Sequence, residues 1–78
     1  MNWLIEYKGE YHQVDLIFNE SRIVEWNMER VRLTADRIEK KPTKDETGWG
    51  FVLVESISPI TGKYIEYSHN PTCIAKIL

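Results

Sequence analysis

Glycine and proline are both missing from Glu10 to Lys41, and the whole chain of 78 residues holds only four glycines, three prolines and one cysteine. A lone cysteine, Cys73, cannot close an internal disulfide, so no disulfide framework supports the fold. The apolar runs are only a few residues long, far short of the roughly 20 that cross a bilayer as a helix. The start, Met1-Asn2-Trp3-Leu4-Ile5-Glu6, lacks the basic region and apolar run of a secretory signal, so a cytoplasmic location is expected. Strong charge is missing too. A net charge of −2 argues against a polyanion binder built on bulk charge and against an acidic mimic of nucleic acid.

What is present is ordinary globular composition, with 42% hydrophobic and 28% charged residues, and aromatics that include Trp3, Trp26 and Trp49. One domain spanning residues 1–78 follows from the length. Charge is uneven along it. Residues 1–29 set Lys8 and Arg22 against six acids, whereas residues 30–44 set six bases against Asp36 and Glu39. A molecule polarised in this way favours oriented contact with a charged partner.

Apolar spacing outlines the elements. Trp3, Ile5 and Tyr7 alternate with Leu4, Glu6 and Lys8, and His12, Val14, Leu16 and Phe18 share one face opposite Tyr11, Gln13, Asp15 and Ile17. Gly9 joins the two as a hairpin. Phe51-Val52-Leu53-Val54 reads as a central strand covered on both faces, residues 63–68 return after a Pro59–Gly62 turn, and Thr72–Leu78 supplies a last strand at the sheet edge. Residues 20–41 admit two readings. Val24, Met28, Val31, Ala35 and Ile38 fall on one helical arc, and Lys40-Lys41 before Pro42 would stop a helix. Against this, Val31, Leu33 and Ala35 alternate as in a strand, and several β-branched residues disfavour a helix, but nothing marks a break near Asn27–Glu29. The spacing therefore predicts a helix over about 20–41. The expected fold is α+β: an antiparallel sheet of four to five strands with that helix packed on one face. An all-β small barrel or sandwich is the alternative.

No catalytic constellation stands out, and no cofactor or metal is expected. His12, His69 and Cys73 lack the paired spacing of a zinc site, and nothing orients a third group beside His69 and Cys73. Gly62-Lys63 lacks the rest of a phosphate loop. Two features point to binding. On a helix, Trp26, Arg30, Leu33, Arg37 and Lys41 would form a stripe of the composition that anchors protein contacts. Trp49, between Gly48 and Gly50, would have unusual backbone freedom and room for another chain to approach. The bland alternatives are that Trp26 and Leu33 widen the core and that Trp49 folds over the end of the sheet. The expected function is a small non-enzymatic module that binds another protein, of the kind that inhibits or modulates a larger one. The alternative is a nucleic-acid-binding accessory protein using the basic 30–44 segment. A homodimer paired through the C-terminal strand is also expected, since a free strand edge invites a second chain.

Overall fold

A computed structural model describes the backbone of residues 1–66 and 72–78 and the side chains of residues 1–63 and 72–78. The element order is β1 (Asn2–Tyr7), β2 (Glu10–Asp15), β3 (Ser21–Trp26), β4 (Glu29–Lys40), β5 (Gly48–Ile57), β6 (Tyr64–Glu66) and β7 (Thr72–Ile77). All pairings are antiparallel, in the order β2-β1-β7-β5-β4-β3, and β6 adds to β5 beyond the end of β7. The sheet curls into a half-barrel, and no helix forms among the described residues. The expected α+β fold is thereby overturned, and the all-β alternative matches the architecture.

The predicted helix over 20–41 is instead a hairpin. Trp26 faces Glu29 across a two-residue loop in which Asn27 and Met28 have φ of 51° and 65°. Two positive φ values make a type I′ turn, whose twist suits a strand pair. Asn tolerates this conformation without glycine, so the break needs no glycine or proline to mark it. The β1–β2 hairpin uses the same device at Lys8 and Gly9, with φ of 49° and 83°.

The core lies inside the curl. Trp3, Ile5 and Tyr7 from β1, Val14 and Leu16 from β2 and just beyond it, Val31, Leu33 and Ala35 from β4, Val52 and Val54 from β5, and Ala75 and Ile77 from β7 are all buried. Alternation places them there, as expected for β1, Val14 and Leu16. Phe18 does not follow. The strand ends at Asp15, and Phe18 sits in the connection to β3 with about half its surface exposed. Nor is β5 covered on both sides, because Phe51 and Leu53 on its outer face stay partly open.

Two further expectations change. β7 is an interior strand, paired with β5 along Thr72–Ile77 and with β1 at Lys76 and Ile77. The strand order ends at β2 and β3, so the C-terminal strand does not lie at the sheet edge as expected: β1 covers it at Lys76 and Ile77. The glycines beside Trp49 serve the chain's own packing. β4 departs from regular register at Ala35/Arg37 and again at Ile38/Lys40. These irregularities press its backbone onto β5, so a Cβ on Gly48 would collide with the Lys40 carbonyl and one on Gly50 with the Arg37 carbonyl.

No backbone ladder joins the edge strands β2 and β3, but side chains bridge them. His12 stacks on Trp26, Asn27 Nδ2 donates to Glu10 Oε2 at 2.9 Å, and Arg22 Nη1 donates to the Asp15 carbonyl at 2.7 Å. At the turn end, Tyr7 Oη and Lys8 Nζ both donate to the Glu29 carboxylate, which ties the two type I′ hairpins together. Those bonds hold the Glu29 carboxyl below its ordinary pKa.

Candidate functional site

The curl sorts β-strand alternation into a filled inside and an outside whose composition can be read strand by strand. One outer row runs Gln13, Leu4, Lys76, Trp49, Lys40 across β2, β1, β7, β5 and β4. In the next row Tyr11 faces Glu6, and Ile74 faces Phe51, which faces Arg37. Leu4, Tyr11, Trp49, Phe51 and Ile74 thus make an apolar strip where an antiparallel strand normally presents polar residues to water. Ile74 is 69% and Tyr11 67% exposed, and Trp49 meets Phe51 edge-on with ring centroids 5.7 Å apart. Between Tyr11 and Trp49 runs a groove of about 580 Å³, lined also by Leu4, Glu6, Ile74 and Lys76.

Charge on this outer face is largely balanced within the chain. Arg32 makes a two-pronged bond to Glu55, at 3.0 and 2.9 Å, and Arg37 and Lys40 are ion-paired with Glu39 and Glu46. Three of the six bases in the 30–44 segment are therefore matched by nearby acids. Such matching weakens the field that a phosphate backbone would meet.

The predicted stripe is dispersed by the hairpin. Leu33 is in the core, and Trp26 points inward against Tyr7 and His12. Arg30 and Arg37 lie on β4 at exposed positions, and Lys41 follows the end of that strand. Of the six predicted residues, only Trp49 belongs to the apolar strip, with Arg37 at its margin beside Phe51. Leu4, Tyr11, Phe51 and Ile74 were missed. Their signal was an apolar residue at a solvent-side position of an alternating strand, visible at Leu4 beside Glu6 and at Tyr11 beside Gln13.

Burial pushes the Cys73 thiol up, away from the thiolate form that attacks or binds metal. His69 lies outside the described residues. The Nε2 of His12 is shielded inside the curl without a hydrogen-bond partner among the described residues, 3.7 Å from Glu10 Oε2. Among the described residues no three His, Cys, Asp or Glu side chains gather to hold a metal ion. Comparison with protein-family models, with curated proteins and with solved structures returns no match, so geometry alone guides the reading of this surface.

Proposed function

We propose that this protein is a non-enzymatic binding module whose outer strip docks onto another protein. The observation that carries the reading is the strip itself: five large apolar side chains from four strands, gathered on a face over which the described residues pack no second layer. Such patches on small proteins commonly serve as contact surfaces, and Trp and Tyr are favoured anchors there. Binding of nucleic acid is supported less, because Arg32, Arg37 and Lys40 are already matched by acids and the chain is net acidic.

A photo-crosslinking residue placed at Ile74 tests this, with Ile60 as control, since Ile60 is 92% exposed but lies in the turn after β5. Irradiation of native lysate is expected to yield protein adducts from position 74 and few from position 60. Absence of adducts at 74, or adducts that vanish on nuclease treatment, would overturn the reading.

A further inference from the structure

We propose that the outer strip is covered by a second copy of the chain, packed sheet to sheet about a two-fold axis; this rests on the strip being a docking surface and names its occupant. A two-fold contact must be self-complementary, since the same patch faces itself. Shape meets that demand. Projecting side chains, Tyr11 and Ile74, and a recess of about 580 Å³ between Tyr11 and Trp49 lie on one face, so each copy offers both knob and groove.

Charge meets it as well. Within the strip stand one acid, Glu6, and one base, Lys76, on the neighbouring strands β1 and β7 and in adjacent rows. Neither makes an ion pair among the described residues, while the cations at the margin, Lys40 and Arg37, have acids beside them. The face is close to neutral overall. It therefore offers little attraction to a strongly charged partner and no repulsion to its own copy. A two-fold axis lying in the interface between Glu6 and Lys76 sets Glu6 of each copy over Lys76 of the other, forming two equivalent ion pairs from groups that have no ion pair among the described residues of one copy.

The strip crosses four strands, about 15–20 Å at ordinary strand spacing. An interface of that width belongs at the small end of the range, so the dimer is weak. Sedimentation equilibrium on the purified chain, carried to hundreds of micromolar, is expected to show a mass rising from 9.2 kDa toward twice that value. Glu6→Lys and Lys76→Glu should each raise the dimer dissociation constant at least ~10-fold, and the double swap should return it to within about threefold of the parent. Far-UV circular dichroism confirms folding, and Glu6→Gln with Lys76→Gln replaces any reversal that fails to fold; each neutral change should weaken the dimer. A constant 9.2 kDa mass, a dimer indifferent to these changes, or a swap that does not restore it would overturn the second-copy proposal. Foreign adducts from position 74 in lysate alongside a monomeric purified chain would leave the docking face standing and remove only its occupant.

Discussion

The imidazole of His12 lies flat on the indole of Trp26, with ring centroids 4.2 Å apart and planes 7° from parallel, and this stack spans the two edges of the sheet. Hydrogen-bonded closure would join β2 to β3 directly. Here side chains take that role, so the seam is held by packing, by the Asn27–Glu10 bond and by Arg22 on the Asp15 carbonyl.

Truncating the stack should open the seam. Trp26→Ala is expected to cost about 3 kcal/mol, since a large ring leaves a partly enclosed space against Tyr7 and His12. His12→Ala should cost less. A double-mutant cycle, read by urea unfolding, should give a coupling of about 1 kcal/mol between them; strict additivity would mean the rings do not support one another.

The close strand approach at Gly50 makes a second prediction. A methyl there would strike the Arg37 carbonyl and come within 2.9 Å of Trp3 Cη2, both fixed parts of the fold. Gly50→Ala should destabilise by about 2–3 kcal/mol or more. Gly9→Ala meets no atom within 4 Å but keeps a φ of 83°, so its cost should be nearer 1 kcal/mol. Thermal unfolding of the pair checks the ranking, and a milder effect at Gly50 than at Gly9 would contradict the packing described.

The N-terminal hairpin was legible because Trp3, Ile5, Tyr7, Val14 and Leu16 alternate without interruption and Gly9 supplies the turn. Residues 20–41 were not, for a reason of spacing. The extra residue at Asp36 shifts β4 so that Ile38, three positions after Ala35, faces inward again. The two-residue turn separates the inward Val24 and Val31 by seven, and Met28, 94% exposed in that turn, happened to be apolar. A hairpin with a bulge therefore reproduced the 4-3-4-3 pattern of a helix. The outer strip was hidden for a related reason. Its residues are scattered over four strands, and only the strand order brings Leu4, Ile74 and Trp49 together.

Met28 itself offers a gain. It occupies a type I′ position at φ 65°, which costs a non-glycine residue roughly 1 kcal/mol, and its side chain contributes little while so exposed. Met28→Gly should raise stability by about 1 kcal/mol, measured as a higher urea midpoint at unchanged slope. A loss of stability would mean the turn is of another kind.

The last prediction concerns acid. The Glu29 carboxyl titrates below its ordinary value of 4.5, chiefly through its hydrogen bonds from Lys8 and Tyr7. A carboxyl whose folded pKa is depressed adds stability that is complete above the unfolded pKa and disappears as pH falls through the folded one. Between pH 7 and pH 5 this contribution should stay level, and below about pH 4.5 it should decline. Glu29→Gln removes the titration while keeping an oxygen that accepts from Tyr7. The variant should be less stable than the parent at neutral pH, and the gap should narrow as the solution is acidified. Urea melts of both proteins across this range decide the matter: a gap that stays constant down to pH 3 would show that the carboxylate linking the two hairpin turns contributes nothing through its charge.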